Sequence, residues 1–272
     1  MTTFRSLHAP GQLLLLPNAW DAGSARLIEA RGAPAIATTS AGLAWSRGYP
    51  DGDRLPGRVL ETALAEIARV VSVPLSVDVE GGYSSDPRAV GETVRSVLAA
   101  GAVGINLEDG SGPPELLCRK IEAARTAAEQ AGVDLFVNAR CDVYLRRLVS
   151  PESAVAETLA RARRYRAAGC DGLFVPGARE ASEIREMTGS LAELPVNLLW
   201  LPGLPGLAEL RALAVRRLSA GSALAQRAYG AAARAAQRFL ASGDCDAADV
   251  ALANPEMNAL FAAVGSAAIP AG

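Results

Sequence analysis

Acidic residues and one arginine follow short apolar segments whose composition is typical of β-strands. The segment PLSVDVEGG contains Asp78 and Glu80, GINLED ends in Glu108 and Asp109, and DLFVNAR ends in Arg140. Side chains alternate between the two faces of a strand, so Asp78 and Glu80 share a face and lie about 7 Å apart. The same alternation predicts that neighbouring strands direct Asp78, Glu80, Glu108 and Arg140 into one site.

The charge of this cluster predicts a metal ion. Three carboxylates and one guanidinium sum to about −2, which is costly in a partly buried site without a compensating cation. The chain has one histidine, His8, and four scattered cysteines, so oxygen ligands remain. Oxygen ligands favour Mg²⁺, with Mn²⁺ as an alternative, and Arg140 could then bind a substrate carboxylate. The competing interpretation is that these acids form ion pairs at the rim of the fold.

A second group of candidate residues follows the segment APAIATT. Small residues form a turn there, and its backbone N–H groups suit an anion. The chain then continues into a Gly/Pro/Asp-rich loop with Tyr49 and Asp51, which we expect to act as a gate, although such a loop can also be a simple turn. The residues of the turn are Thr38, Thr39 and Ser40.

Eight β-rich segments alternate with helical patterns, which predicts an α/β fold, a (β/α)8 TIM barrel. A doubly wound open sheet is the alternative. We expect one domain overall, with a barrel core at 1–222 and a C-terminal helical segment at 223–272 that makes oligomer contacts. The predicted strands are 12–17, 33–39, 74–80, 104–109, 134–140, 172–176, 196–202 and 215–221.

The amino-acid composition limits the classes of partner that we expect this protein to bind. The 272 residues include 29 acidic and 27 basic side chains, so nucleic acid is not expected as a partner, and the basic run 161–166 is interpreted as a solvated helix face. No apolar run is long enough to cross a membrane, and no signal-peptide pattern is present. A cytoplasmic protein is expected.

Seven motifs in this order resemble the phosphoenolpyruvate mutase/isocitrate lyase superfamily over nearly the whole chain: LPNAWDAGSARL, TTSAGLAWSRGYPDGD, SVDVEGGYS, GINLEDG, VNARCD, GLFVPG and PVNLLWLPGLP. The resemblance implies a barrel that exchanges its last helix with a neighbouring subunit. It also implies a homotetramer, a dimer of helix-swapped dimers, with a Mg²⁺-dependent site for 2-oxo acids and their enolates.

The resemblance also implies roles for individual residues. Asp78 would bind the metal directly, Glu80 and Glu108 would hold metal-bound waters, and Arg140 would bind the substrate carboxylate. The turn that would bind the other end of the substrate comprises Thr38, Thr39, Ser40 and Ala41.

Several assignments stay open at this point. Asp51 matches an acidic residue near the reacting end, and Tyr49, Asp51 or water could donate the proton. Trp20 and Asn197 could line the pocket, whereas Lys120 is expected to be solvated.

The chain departs from the superfamily at three functional motifs. The sixth strand ends in FVPG, where the lyases for tricarboxylates carry a glutamate, and GYPDGDRL does not reproduce the Asn-containing gating segment of the mutase. The isocitrate and methylisocitrate lyases carry a K-K-C-G-H loop after the fourth strand, whereas this chain reads LEDGSGPPELLCRK, with Cys118 expected as a small core residue. We therefore expect a Mg²⁺-dependent carbon–carbon lyase for a small dicarboxylic 2-oxo or 2-hydroxy acid, such as oxaloacetate, a 2-oxoglutarate-like acid or an alkylmalate. Phosphonate P–C chemistry of the mutase or hydrolase type and non-catalytic binding of 2-oxo acids are the alternatives.

Overall fold

The computed structural model describes residues 3–245, 252–262 and 264. Its strands are all parallel and run in the order β1-β9-β8-β7-β6-β5-β4-β3-β2. They are β1 Leu14–Leu16, β2 Asn18–Ala19, β3 Ile36–Thr38, β4 Leu75–Asp78, β5 Gly104–Glu108, β6 Phe136–Arg140, β7 Gly172–Val175, β8 Val196–Leu199 and β9 Arg217–Ser219.

The first predicted strand, 12–17, contains β1 and ends at Pro17, and β2 is an additional strand directly after this proline. Leu14 in β1 pairs with Arg217 in β9, whereas Asn18 in β2 pairs with Ala37 in β3. A proline has no N–H to donate to a ladder, so the strand changes partner at this position. The change closes the sheet, which confirms the predicted (β/α)8 barrel.

Helices surround the barrel. They are α1 Ala22–Ala30, α2 Ser40–Ser46, α3 Gly57–Val70, α4 Pro87–Ala99, α5 Pro114–Ala131, α6 Ala154–Ala167, α7 Ala181–Ser190, α8 Leu207–Ala212, α9 Ala223–Ser242 and α10 Asn254–Ala262. Local sequence fixes several of their starts: Asp21 and Ser24 form a capping box at α1, and the Asp86 side chain accepts a hydrogen bond at α4, where Pro87 begins the helix. None of the helices in the described residues could cross a membrane.

The main core lies between the strands and the helices. Val77, Val79, Ile105 and Leu107 have no accessible surface there, so the outward faces of β4 and β5 are the predicted ones. The acids that alternate with these residues therefore face the barrel axis.

A smaller apolar cluster fills the N-terminal end of the barrel. Phe4, Leu14, Leu16 and Phe136 are buried together, and the His8 ring stacks on Phe136 with centroids 4.2 Å apart. The short 3₁₀-helix Arg5–His8 carries this histidine under the barrel. We call these side chains the barrel plug.

The long helix α9 begins at Ala223, where the C-terminal helical segment was predicted. Of its 20 residues only Ala225 is buried, and Phe239 and Leu240 are 54% and 86% exposed. The exchange of a C-terminal helix between subunits stays a prediction, and part of the predicted tail (246–251, 263 and 265–272) lies outside the described residues.

Candidate active site

A cavity of about 120 Å³ opens at the C-terminal ends of the barrel strands. Its charged lining residues are Asp51, Asp78 and Arg140, and Leu145, Phe174 and Leu199 contribute apolar walls. Parallel strands place their carboxyl ends at one face of a barrel, which is where such enzymes bind substrate. We call this cavity the pocket. The uncharged polar residues that line it are Asn18, Thr39, Ser40, Asn106, Ser219 and Ser222.

Asp78, the last residue of β4, is held by the neighbouring strand. The Thr38 hydroxyl accepts a hydrogen bond from the Asp78 backbone N–H at 2.9 Å, and the Asp78 carboxylate accepts from the Ser40 and Glu80 N–H groups at 3.4 and 3.3 Å. Burial raises the pKa of Asp78, and the positive charge of Arg140 opposes this shift. Thr38 therefore supports Asp78 and does not itself line the pocket.

Ser40 and Ala41 reach the pocket because the chain after β3 folds into α2, where a turn was expected. A Cβ atom at Gly42 would lie 2.8 Å from the Thr39 side chain and 2.9 Å from Trp20. Only a glycine permits this close packing of α2.

Arg140 is anchored by two carboxylates. Its Nη1 lies 2.5 Å from Glu108 Oε2, and its Nε and Nη2 donate to Asp142 at 2.7 and 3.1 Å. A guanidinium has five N–H groups, so two remain for a ligand. Phe174 packs against the guanidinium, with the ring centroid 6.0 Å away.

A buried network fixes Asp142 in turn. Asp109 accepts hydrogen bonds from the Asp142 backbone N–H at 2.8 Å, from Arg161 at 2.8 Å and from the Tyr165 hydroxyl at 2.6 Å. Arg161, part of the basic run on α6, is thus buried in an ion pair and not on a solvated face. The network therefore fixes Asp142, which in turn holds Arg140 in position.

Glu80 is directed at the loop 47–56 that follows α2. Its carboxylate accepts hydrogen bonds from the backbone N–H groups of Gly52, at 2.9 Å, and Asp53. Asp53 in return accepts from the N–H groups of Gly81 and Tyr83 at 3.2 and 3.1 Å. The two acids therefore clamp this loop to the turn after β4, and we call this reciprocal set of bonds the loop clamp.

The loop clamp has a strained backbone and a buried lysine beside it. Glu80, Asp53 and Tyr83 adopt left-handed φ angles of 51°, 56° and 59°, each of which costs about 1–3 kcal/mol in a non-glycine residue. Lys120 is 7% exposed and its Nζ donates to the Gly81 carbonyl at 2.5 Å. The expectation that Lys120 is solvated is wrong, because α5 directs this side chain beneath the turn that follows β4.

Carboxylates whose ionised form is unfavourable surround the pocket. Burial raises the pKa of Glu80 to about 7 and that of Glu108 to about 8; Arg140 opposes the shift of Glu108.

No group of three or more acid, cysteine or histidine side chains within metal-binding reach occurs among the described residues. Mg²⁺ usually keeps several waters and takes only one or two carboxylates, so Asp78 fits such an ion, with the side-chain oxygens of Thr39, Ser40 and Asp51 also in the pocket lining.

The remaining predicted residues are distributed as follows. Asp51 lines the pocket, whereas Tyr49 packs against the main core. Asn197 is buried beneath the pocket, where its Oδ1 accepts from Ser219 at 3.2 Å. Trp20 lines a separate apolar groove beside α1. The structure thus brings together Thr39, Ser40, Ala41, Asp51, Asp78 and Arg140 at the pocket and places Trp20, Thr38, Tyr49, Glu80, Glu108 and Asn197 elsewhere around it.

Sequence reasoning missed several residues of the site. Asn106 lies two positions before Glu108, and Asp142 lies two positions after Arg140, so alternation along β5 and β6 could have indicated both. Ser219, at the end of the eighth predicted strand, carried the same signal. No sequence pattern indicated Lys120, because its role depends on how α5 packs against the turn after β4.

Comparisons with known proteins agree with this fold. The family model described as phosphoenolpyruvate phosphomutase matches residues 4–240. An uncharacterized protein of Mycobacterium tuberculosis is 41% identical over 86% of this chain and 88% of its own length. The 2-methylisocitrate lyase of Salmonella typhimurium is 30% identical over 70% of both chains.

A solved structure extends the similarity. A Burkholderia cenocepacia protein, provisionally described as a phosphonomutase, is 43% identical, with a TM-score of 0.81 over 86% of this chain and 97% of its own. The resemblance read from the motifs is confirmed, and the chain belongs to the phosphoenolpyruvate mutase/isocitrate lyase superfamily, whose members include lyases and mutases.

Proposed function

We propose that this protein is a Mg²⁺-dependent lyase that breaks a carbon–carbon bond, by decarboxylation or cleavage, in a small dicarboxylic 2-oxo or 2-hydroxy acid. The observation that carries the proposal is the pocket itself. Within about 120 Å³ it combines a buried carboxylate, Asp78, with an anchored guanidinium, Arg140. A site of this size and charge suits a short acid in which a carboxylate lies next to a carbonyl or hydroxyl group.

Arg140 would bind and orient the substrate carboxylate. Its two remaining N–H groups can donate to both carboxylate oxygens, and Glu108 and Asp142 prevent the guanidinium from turning away. Fixing one end of the substrate aligns the bond to be broken, which lowers the entropic part of the barrier.

Bond cleavage leaves an electron pair on the carbon next to the carbonyl, and this pair delocalises onto the carbonyl oxygen as an enolate. A cation held by Asp78 would supply positive charge to offset the carboxylates of the site and the negative charge that develops on the substrate. The N–H of Ser40, which lines the pocket, donates to Asp78 at 3.4 Å and would help to keep this carboxylate in position.

Asp51 is the residue best placed to handle the proton. It lines the pocket from loop 47–56, whereas Tyr49, the other side-chain candidate, packs on the main core. A proton donor must come within hydrogen-bond reach of the carbon or oxygen that it protonates. Asp51 would act directly or through a water on a substrate bound in the pocket that it lines.

The connection after β5 supports a small substrate. Only residues 109–113 separate β5 from α5, and Cys118 lies within α5, half-buried, with its thiol pKa raised by burial. No long loop therefore carries an acidic thiol over the pocket, as the K-K-C-G-H motif would require. This difference argues against cleavage of isocitrate or 2-methylisocitrate.

The family model favours phosphonate P–C chemistry as the second candidate, because it is described as phosphoenolpyruvate phosphomutase. The same pocket could hold phosphonopyruvate, whose P–C bond also lies next to a carbonyl. Binding of a 2-oxo acid without turnover is the third candidate.

The test is a turnover panel with Mg²⁺ and oxaloacetate, 2-alkylmalates, 2-methylisocitrate, isocitrate and phosphonopyruvate. We expect one short dicarboxylic acid to be consumed, with kcat/KM at least about a hundredfold lower in Asp78→Asn and Arg140→Lys. Phosphate or phosphoenolpyruvate from phosphonopyruvate would instead support P–C chemistry. Calorimetric binding of oxaloacetate without any product would establish a binder.

Matched controls come from exposed ion pairs outside the pocket. Asp134 precedes β6 and pairs with Arg5 at 2.7 Å with a largely exposed side chain, and Arg95 pairs with Glu92 on the surface of α4. Asp134→Asn and Arg95→Lys should keep nearly full activity. An equal loss in the controls would mean that the effect is not specific to the pocket.

A further inference from the structure

Arg217, the first residue of β9, is a buried cation beneath the pocket. It has no accessible surface; its Nε donates to Ser219 Oγ at 3.0 Å, and its Nη2 donates to Asn106 Oδ1 at 3.2 Å. The third nitrogen, Nη1, has no partner. Within the described residues no carboxylate forms an ion pair with Arg217.

This arrangement is expensive, because an unpaired buried guanidinium costs several kcal/mol after relaxation. Burial lowers the pKa of Arg217 to about 9, and the negative charge of Asp78 opposes this shift. At neutral pH the side chain therefore keeps its positive charge. The cost is offset if that charge interacts with an anion in the pocket above.

The contacts of Arg217 set the polarity of the pocket floor. Asn106 and Ser219 both line the pocket. The Asn106 oxygen accepts from Arg217 and also from Asn138 Nδ2 at 2.9 Å, so the Asn106 oxygen faces away from the cavity. Its NH₂ group is thereby left to face the pocket as a donor.

Arg140, the other cation of the pocket, already forms ion pairs within the protein. Arg140 contacts both Glu108 and Asp142, and the carboxylate of Asp142 compensates part of its charge before a ligand arrives. Arg217 carries no such partner. Its field acts on every negative charge in the pocket, because little water separates charges in a buried site.

We propose that Arg217 is a positioning residue that makes the pocket selective for ligands with two negative charges, through its unpaired charge and through the donor that it orients on Asn106. The proposal rests on the function proposed above, since it concerns the same pocket. A dianion gains from the field of Arg217 at two positions, whereas a monoanion of the same shape gains at one.

Oxalate and oxamate provide the test, because they are nearly identical in shape and differ by one negative charge at neutral pH. Calorimetry on the full-length protein with saturating Mg²⁺ gives the ratio of their dissociation constants. We expect wild type to bind oxalate at least about tenfold more tightly than oxamate. Equal affinities in wild type would overturn the proposal without any variant.

Two variants then assign the preference to Arg217. Arg217→Gln should reduce the ratio at least about fivefold, whereas Arg217→Lys, which keeps the charge, should stay within about twofold of wild type. A role in stability alone would lower the melting temperature and leave the ratio unchanged in Arg217→Gln, which would overturn the proposal. If Arg217→Gln does not fold, Arg217→Met replaces it. If neither folds, Arg217→Lys decides, and a ratio that departs more than about twofold from wild type in this charge-conserving variant would overturn the proposal.

The same titrations separate this inference from the proposed function. Wild type that binds neither acid would contradict both the acid-binding pocket and the role of Arg217. Wild type that binds both acids, with no dependence of the ratio on residue 217, would contradict the role of Arg217 alone.

Discussion

Asp142 determines how much of Arg140 remains for a ligand. It has no accessible side-chain surface and accepts hydrogen bonds from Arg140 and Arg146. Its position in the sequence, two residues after the arginine on a segment that ends a strand, is the only sequence signal for this role. The partner on the other side, Glu108, could be placed near the pocket by alternation, but its bond to Arg140 depends on side-chain rotamers.

Replacing Asp142 by asparagine should impair both stability and turnover. The substitution leaves Arg140 buried with one less counter-charge, so we expect a loss of about 3 kcal/mol in the free energy of unfolding. A guanidinium that is free to rotate should also lower kcat/KM about a hundredfold. Urea unfolding and steady-state kinetics measure the two effects.

Asp134→Asn is the control for this prediction, since it removes the same charge from an exposed pair with Arg5. It should change stability by less than about 1 kcal/mol. Unchanged kinetics in Asp142→Asn would show that Glu108 alone holds Arg140.

Glu80 and Glu108 predict an unusual dependence of stability on pH. Their pKa values in the folded protein, about 7 and about 8, lie above the ordinary value, so the folded state binds more protons than the unfolded state between pH 4.5 and 8. Their contribution to stability is therefore complete below about pH 4.5 and is lost as the pH rises through 7 and 8.

The measurement is thermal unfolding from pH 5 to pH 8.5 with a chelator present. We expect the melting temperature to fall by several degrees across this range, since each shifted group changes the free energy by at most about 1.4 kcal/mol per pH unit. The Glu80→Gln/Glu108→Gln double variant should have a flatter profile. Added Mg²⁺ should raise the melting temperature most at high pH, where both carboxylates are ionised, and a rise that is independent of pH would count against the metal.

At the level of elements, the sequence predicted the barrel well because its signal is local. Each predicted strand is an apolar run bounded by turn residues, and each contains one observed strand. The two-residue strand β2, which follows Pro17, was not predicted. Helix α2 was missed because SAGLAWS is rich in small residues and resembles a turn. It forms because Gly42 lets it pack tightly against Trp20, a tertiary contact that local patterns do not contain.

Loop 47–56 is the element whose behaviour we predict most directly. The expectation that it acts as a gate stays a prediction. The loop clamp provides a mechanism, because the carboxylates of Asp53 and Glu80 together accept hydrogen bonds from four backbone N–H groups. Asp53→Ala removes half of these bonds. It should raise KM and speed tryptic cleavage after the exposed Arg54 about tenfold, with little change in the melting temperature.

Glu61→Ala, an exposed acid on the following helix, is the control and should leave both measurements unchanged. Oxalate with Mg²⁺ should protect the wild-type loop from trypsin. Cleavage at the wild-type rate in Asp53→Ala would mean that Glu80 and the buried Leu55 hold the loop without Asp53.

At the scale of the whole molecule, the residues that the structure describes leave one side of the barrel uncovered. An apolar groove of about 830 Å³ runs beside β1 and α1 and includes Leu13, Leu15 and Leu27. Leu15 is 41% exposed although it lies on a barrel strand. The uncovered groove and the uncovered length of α9 support the prediction of a homo-oligomer with exchanged helices.

Light scattering coupled to size-exclusion chromatography tests this prediction. Wild type should have a mass two or four times the 28.1 kDa of one chain. Charged residues at the exposed apolar positions of α9, Phe239→Lys with Leu240→Lys, should reduce the mass toward that of one chain, because burying an unpaired lysine is unfavourable. Ser242→Lys at the end of the same helix is the control, and a monomeric wild type at micromolar concentration would refute the oligomer.

The barrel plug has a kinetic consequence. Phe4, His8 and Phe136 fill the far end of the barrel, so whatever enters the pocket also leaves through the side covered by loop 47–56. In the proposed cleavage, the two products would have to depart one after the other past the same loop, with the more deeply bound product leaving last. The last product to leave should therefore inhibit competitively against the substrate, and the first should not.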